Sequence, residues 1–149
     1  MQSILFIVNP ISGSGRKDAA LKAVERYLDQ DRFAAEIRNT EYAGHGAEIA
    51  REAAARGVDI VVAVGGDGTV NEIAGSLVDT ETALAIIPCG SGNGLARHLQ
   101  IPMDPVAAVK VINTAAIVRL DHGTINGRPF FCTCGVGFDA FISMKFAEA

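Results

Sequence analysis

Short apolar runs alternate with amphipathic segments along most of the chain. The apolar runs predict strands at Ser3–Val8, Phe33–Arg38, Asp59–Val64 and Ala83–Ile87. The amphipathic segments predict helices at Arg16–Gln30, around Ala47–Ala54 before Gly57, from Thr69 to about Val78, at Leu95–Gln100 and at Asp104–Asn113. Because the strands are almost continuously apolar and helices join them, the pattern predicts an α/β fold with a doubly wound parallel sheet covered on both faces.

Each predicted strand is followed by a turn rich in small or polar residues. These turns are Asn9–Gly15, Asn39–Thr40, Gly65–Gly68 and Gly90–Gly94. Right-handed crossovers between parallel strands place all strand-to-helix turns on one edge of the sheet. We therefore expect these four turns to converge on one crevice.

The pattern changes after about Ala116. The segment Val118–Ile125 alternates, Asn126-Gly127 is a strong hairpin signal, and Pro129–Cys134 is β-rich. We therefore predict a nucleotide-binding domain over 1–116 and the opening strands of an antiparallel second domain over 117–149. Since two or three strands cannot bury a core alone, we expect either a truncated domain or strands that dock on a neighbour, giving a possible homodimer.

Composition excludes several classes of function. Hydrophobic residues make up 49% of the 149 positions, and the net charge is −4 without a Lys/Arg run, so nucleic-acid binding is not indicated. No apolar stretch approaches the roughly 18–20 residues of a membrane span, and the N-terminus lacks signal-peptide features, so a cytoplasmic protein is expected. Cys89, Cys132 and Cys134 form a poor zinc set and are interpreted as small packing residues.

The stretch Gly65-Gly66-Asp67-Gly68-Thr69-Val70-Asn71-Glu72 has the strongest chemical signal. Glycines allow a sharp turn and a close ligand approach, and the helix that follows points its N–H groups at that ligand, as phosphate binding requires. Asp67 beside phosphate needs a cation or a hydroxyl proton between them, although a plain turn aspartate is the alternative. We expect Asn71 to face the ligand and Glu72 to complement the dipole of its own helix.

The sequence has no P-loop motif, since Gly13-Ser14-Gly15-Arg16-Lys17 does not fit that spacing, and the loop Gly90-Ser91-Gly92-Asn93-Gly94 is one residue short of a dinucleotide fingerprint. One such loop is equally well a tight turn, but three on one edge favour a phosphate cradle. Arg16, Lys17 and Arg97 lie near these loops, where phosphate contacts and ordinary solvated side chains both remain open. His45, His98 and His122 are scattered and suggest helix-end or surface packing roles.

Four blocks together resemble the diacylglycerol kinase catalytic-domain family, which includes sphingosine, ceramide and bacterial soluble lipid kinases. The blocks are Asn9–Gly13, Thr40, Gly65–Glu72 and Pro88–Arg97. The resemblance implies an N-terminal α/β domain, similar to that of NAD kinases and phosphofructokinases, that holds ATP and Mg²⁺. It also implies a C-terminal β-sandwich for the lipid, entered near 137–140, with the general base and structural magnesium ligands beyond this chain.

The resemblance also implies a set of site residues. The nucleotide-binding set is Asn9, Pro10, Ile11, Ser12, Gly13, Thr40, Gly65, Gly66, Asp67, Gly68, Thr69, Val70, Asn71, Gly90, Ser91, Gly92 and Asn93. Asp67 is the catalytic candidate, through a metal-bound water or the acceptor hydroxyl, and no residue is assigned as a metal ligand. Gly94 stands where many bacterial members have Asp.

The function that the resemblance implies is ATP-dependent phosphorylation of a lipid hydroxyl, of diacylglycerol or a sphingoid-like alcohol, at a membrane surface. The chain alone is expected to be inactive. Two alternatives remain: an NAD or sugar-phosphate kinase of the same sheet type, and a nucleotide-binding module without catalysis.

Overall fold

The computed structural model describes residues 1–10, 15–132, 134, 137, 140–142, 144 and 145. Within this part, the strands are β1 (Gln2–Val8), β2 (Phe33–Asn39), β3 (Ile60–Gly65), β4 (Ala83–Pro88), β5 (Gly123–Ile125) and β6 (Arg128–Phe130). The helices are α1 (Arg16–Tyr27), α2 (His45–Ala55), α3 (Asp67–Leu77), α4 (Gly94–His98) and α5 (Pro105–Thr114). The alternation of strands and helices predicted from the sequence is confirmed.

The first four strands form one parallel sheet in the order β2-β1-β3-β4. The chain moves outward from β1 to β2 and then returns past β1 to β3, so the strand order reverses between β1 and β3. Val8 pairs with both Asn39 and Val64, and Gly65 pairs with Pro88. The four strands therefore end at nearly one level, and a ligand crevice is expected beside this reversal.

Both faces of the sheet are buried by helices, as the sequence predicted. Phe6 and Val62 face the side that α1 and α5 cover, whereas Ile7 and Val61 face the side that α2 and α3 cover. Successive strand residues thus enter opposite cores, which explains why the strands read as continuous apolar runs.

Several helix boundaries differ from the prediction by one to three residues, among them the end of α1 and the start of α3. Helix α1 ends at Tyr27 rather than near Gln30, because Leu28 is extended and the Asp29 carboxylate accepts the N–H groups of Asp31 and Arg32. Such a local side-chain bond competes with helix continuation. Helix α3 begins at Asp67, two residues before the predicted Thr69. Asp67 is therefore part of the helix and not of the preceding turn.

The predicted hairpin forms at Asn126-Gly127, where both residues have positive φ, 49° and 73°, as a type I′ turn requires. Its strands are shorter than predicted, since Val118–Leu120 and Phe131–Cys134 contain no strand among their described residues. The hairpin packs on α3, where Pro129 lies against Gly75. The domain boundary near Ala116 stays a prediction. Among the described helices, none is long and apolar enough to cross a membrane.

Candidate functional site

Backbone hydrogen bonds bring the strand-to-helix turns together at the carboxyl edge of the sheet. The N–H of Asn9 donates to the Val64 carbonyl at 3.2 Å, and that of Thr40 donates to the Val8 carbonyl at 2.9 Å. The Cys89 N–H donates to the Gly65 carbonyl at 2.8 Å. The predicted convergence is confirmed for the described parts of these turns; Ile11, Ser12 and Gly13 lie outside the described residues.

Two glycines allow the loops after β3 and β4 to touch. A Cβ on Gly90 would lie 2.6 Å from the Cα of Gly66, and one on Gly66 would lie 3.2 Å from the Cα of Gly90. Because the opposing atoms belong to backbone, neither loop could move aside cheaply. These glycines are needed for packing between the two loops, which the sequence interpretation did not foresee. The close ligand approach expected of them stays a prediction.

Asp67 joins the two loops through its carboxylate. Oδ2 accepts the N–H of Asn93 at 2.8 Å, and Oδ1 accepts the N–H of Gly94 at 2.6 Å. The carboxylate therefore lies at the amino ends of both α3 and α4, where the helix dipoles favour negative charge. A carboxylate has about four acceptor positions, so these two bonds leave capacity for a water molecule or a donor on a ligand.

Asn93 stabilises the same loop from within. Its side chain is only 4% exposed, its Oδ1 accepts the Gly90 N–H at 3.0 Å, and its Nδ2 donates to the Gly90 carbonyl at 2.6 Å. The residue has positive φ, 57°, a conformation that asparagine tolerates better than most residues. The Asn93 side chain thus holds the loop closed in this structure.

The three cationic side chains near the loops contact backbone carbonyls. Arg16 Nη1 donates to the Gly90 carbonyl at 3.2 Å, and Arg97 Nε donates to the Gly92 carbonyl at 2.7 Å. Lys17 Nζ donates to the Pro10 carbonyl. A guanidinium has five N–H donors, so both arginines can brace the loop and still offer donors to an anion.

The end of β1 is tied to the first turn of α3. Asn9 Nδ2 donates to Thr69 Oγ1 at 3.2 Å, and the buried Thr69 side chain fills the space beside Gly65. A Cβ on Gly65 would lie 2.6 Å from Thr69 Cβ. Asn9, Gly65 and Thr69 therefore form one packed unit behind the crevice.

An open cleft of about 450 Å³ lies in front of these loops. It is lined by Asp67, Gly68, Val70, Asn71, Gly92, Gly94, Leu95, Phe131 and Cys132. The first five belong to the predicted nucleotide set. No atom lies within 4 Å of a Cβ built on Gly68, so this glycine faces open space. Asn71 is exposed and lines the cleft. That it faces a ligand stays a prediction.

The sequence interpretation missed part of the cleft wall and one contact. Phe131 and Cys132 lie beyond the predicted domain boundary, and only the packing of the hairpin on α3 brings them to the cleft. Glu72 contacts the start of α2 and not the end of its own helix. No local sequence signal could have identified these partners.

The expected roles of cysteine and histidine are confirmed only in part. Burial raises the pKa of the Cys89 thiol, against a smaller lowering by Arg16, and Cys89 packs in the core as expected. The packing interpretation is wrong for Cys132 and Cys134, which are exposed. His45 and His98 lie at helix ends, as expected. Among the described residues, His, Cys, Asp and Glu form no group of three or more suited to a metal ion.

Comparison with known proteins agrees with this geometry. The family profile described as "Diacylglycerol kinase catalytic domain" matches residues 3–125. A diacylglycerol kinase of Bacillus subtilis (strain 168) is 36% identical over 141 residues, covering 92% of this chain and 46% of the relative. A Chromohalobacter salexigens protein named "Probable lipid kinase YegS-like" is 40% identical over 111 residues, covering 72% of this chain and 36% of that relative.

Solved structures show the same relationship. A crystal structure of a diacylglycerol kinase from Bacillus anthracis str. Sterne superposes with a TM-score of 0.76 at 30% identity, covering 87% of this chain and 48% of that one. The chain thus spans less than half the length of these relatives.

Proposed function

Because this chain belongs to the diacylglycerol kinase catalytic-domain family, we propose that it binds ATP for transfer of the γ-phosphoryl group to a lipid hydroxyl. The observation that carries the proposal is the pairing of Asp67 with the Gly90–Gly94 loop at the start of α3. This pairing sets the amino end of α3 and the glycine loop around one cleft. The first-turn N–H groups of α3 suit the phosphates of a nucleotide.

The residues around the cleft fit a triphosphate. Gly68 leaves the first turn of α3 accessible, since a Cβ there would enter open space. The N-cap residue of α3 is Gly66, which has no side chain to bond the first-turn N–H groups, so these groups can donate to phosphate oxygens. Arg16 and Arg97, which donate to carbonyls of the glycine loop, can neutralise phosphate charge with their remaining N–H donors.

Phosphoryl transfer depends mainly on positioning and on neutralising charge at the transferred group. In the proposed reaction the lipid hydroxyl gives up its proton and its oxygen bonds to the γ-phosphorus. The bond from that phosphorus to the oxygen of the β-phosphate breaks, and ADP and one proton are released. The α3 amino end and the glycine loop hold the phosphates, and Asp67 orients water or the acceptor hydroxyl with its remaining acceptor positions. Mg²⁺ brought with ATP would supply further neutralisation of phosphate charge.

The acceptor is proposed to be diacylglycerol or a sphingoid-like alcohol. The names of the relatives, a diacylglycerol kinase and a lipid kinase, support this class of substrate. An acceptor of this kind is reached from a membrane surface, so we propose a cytoplasmic protein with peripheral membrane contact. The exposed apolar residues after Ala116 support a further proposal, association of two copies through this segment.

Nucleotide binding is tested by calorimetry on wild type and Asp67→Asn with MgATP. The amide replaces one acceptor oxygen with an NH₂ donor that faces a backbone N–H, so one of the two bonds that hold the glycine loop is lost. We therefore expect the affinity for MgATP to fall at least tenfold, which corresponds to about 1.4 kcal/mol. Asp79→Asn, at an exposed position just after the end of α3, is the matched control and should bind as wild type. Absence of millimolar affinity in the wild type would refute the proposal.

The reaction is tested with the product of the full reading frame and radiolabelled ATP. We expect label in diacylglycerol or sphingoid vesicles and none in NAD or fructose 6-phosphate. Labelling of NAD alone would instead support the NAD-kinase alternative, and binding without labelling would support a non-catalytic module.

A further inference from the structure

Glu72 connects the two helices on one face of the sheet. It lies in α3, and its Oε1 accepts the N–H of Ala47, in the first turn of α2, at 3.1 Å. A Cβ built on Gly46 would lie 3.0 Å from the same Oε1. The carboxylate therefore reaches the start of α2 through the space that the absent side chain of Gly46 leaves.

Helix α2 has no side-chain cap of its own. Its N-cap is Gly44, with φ 92°, and no side-chain hydrogen bond caps this end from within its segment. The first N–H groups of a helix need acceptors, and a carboxylate near them also interacts favourably with the dipole. The Ala47 N–H also donates to the Gly44 carbonyl at 3.1 Å. Glu72 adds a charged acceptor from the neighbouring helix, so α3 contacts the start of α2 directly.

The two helices that Glu72 joins begin at different parts of the proposed nucleotide site. Helix α2 starts five positions after Thr40, whose N–H is held by the Val8 carbonyl at 2.9 Å. The amino-terminal part of α3 contributes Gly68 and Asn71 to the cleft wall. The Glu72–Ala47 bond is a direct polar link between these two segments.

We propose that Glu72 is a positioning residue. It sets the spacing between the segment from Thr40 to the start of α2 and the amino-terminal turn of α3, which faces the phosphates in the proposed function. The inference rests on the proposed nucleotide function, because it assigns the two segments to one ligand. A nucleotide that contacts both segments binds tightly only when their separation matches its length. If the link is loosened, the two segments must be ordered when the nucleotide binds, and this entropy cost weakens the affinity. A purely stabilising contact would change the melting temperature without changing affinity.

The first test compares nucleotide affinity in Glu72→Ala and Glu72→Gln, well below the melting temperature. Alanine removes the acceptor, and we expect the Kd for MgATP to rise about tenfold. Glutamine keeps an acceptor oxygen, and its Kd should stay within about threefold of wild type. Glu48→Gln is the matched control, since Glu48 is an exposed carboxylate in the first turn of α2 that bonds the Tyr42 hydroxyl and not α3.

The second test uses Gly46→Ala, which leaves the carboxylate intact but crowds it. The added Cβ should displace Glu72 and raise the Kd several-fold, while the melting temperature stays level or rises because alanine favours a helix. If Glu72→Ala does not fold, the affinity of Gly46→Ala tests the inference instead. Wild-type affinity in Gly46→Ala, or in a folded Glu72→Ala, would overturn the inference. A wild-type protein that binds no nucleotide would instead refute the proposed function itself.

Discussion

At the scale of single residues, the glycines around the cleft have two separable roles. Gly66 and Gly90 permit contact between two backbones, whereas Gly68 borders open space. A sequence motif cannot distinguish these roles, because both need the same absent side chain. The structure distinguishes them by what a Cβ would meet.

We predict opposite effects on stability for alanine at two of these positions. Gly68→Ala should raise the melting temperature slightly, since alanine stabilises a helix by roughly 0.5–1 kcal/mol relative to glycine, yet weaken MgATP binding at least fivefold. Gly90→Ala should destabilise the fold by about 1–3 kcal/mol, because its Cβ meets backbone at 2.6 Å. Thermal unfolding and calorimetry measure both quantities. Equal loss of stability in both variants would contradict the assignment of different roles to Gly68 and Gly90.

At the scale of elements, the opposite edge of the sheet is held by a polar pair. The N–H and hydroxyl of Ser3 both donate to Asp59 Oδ2 at 2.7 Å, and the Asp59 N–H donates to Ser3 Oγ at 2.9 Å. These bonds join the amino ends of β1 and β3. They favour the ionised carboxylate, so the pKa of Asp59 is lowered, chiefly by the Ser3 hydroxyl.

This pair predicts a pH dependence of stability. Because the folded pKa of Asp59 lies below its unfolded value, near 3.9, its contribution is fully present above that value and is lost as pH falls through the folded pKa. Asp59→Asn should therefore be less stable than wild type at pH 7, and the difference should narrow below about pH 4. Urea unfolding at several pH values measures the difference in the free energy of unfolding between the variant and wild type. Asp121→Asn, at an exposed position, is the control. A difference independent of pH would show that ionisation is not involved.

At the scale of the whole molecule, apolar side chains remain exposed after α5. Ile117 is 67% exposed and Val118 73%, and Leu120, Phe141 and Met144 are also exposed. Exposed apolar patches commonly mark interaction surfaces. The main sheet, in contrast, is covered on both faces, so this segment is the natural place for contact with another polypeptide.

We predict that the 149-residue chain associates through this segment. Light scattering should give a mass near twice 15.6 kDa at high concentration, falling toward 15.6 kDa on dilution. Val118→Asp should shift the equilibrium toward the monomer, because a charge in an apolar contact is poorly tolerated. Arg119→Asp, at the neighbouring position, serves as a charge control. A wild-type monomer at every concentration would contradict the prediction.

The alternating pattern and the turn residues were enough to predict the parallel sheet, the covered faces and the Asn126-Gly127 hairpin. These features depend on hydrophobic period and local turn chemistry, which act over a few neighbouring residues. The motif order was likewise enough to indicate the family, and the profile match over residues 3–125 agrees with it.

Only the tertiary structure decided what the site residues touch. The partners of Asp67 lie 26 and 27 positions away, and that of Glu72 lies 25 positions away. Such contacts depend on how strands and helices pack, which no local pattern encodes. Asp67 and Glu72 occur in one short motif, yet folding directs one carboxylate to the glycine loop and the other to α2, because side chains five positions apart on a helix point in different directions.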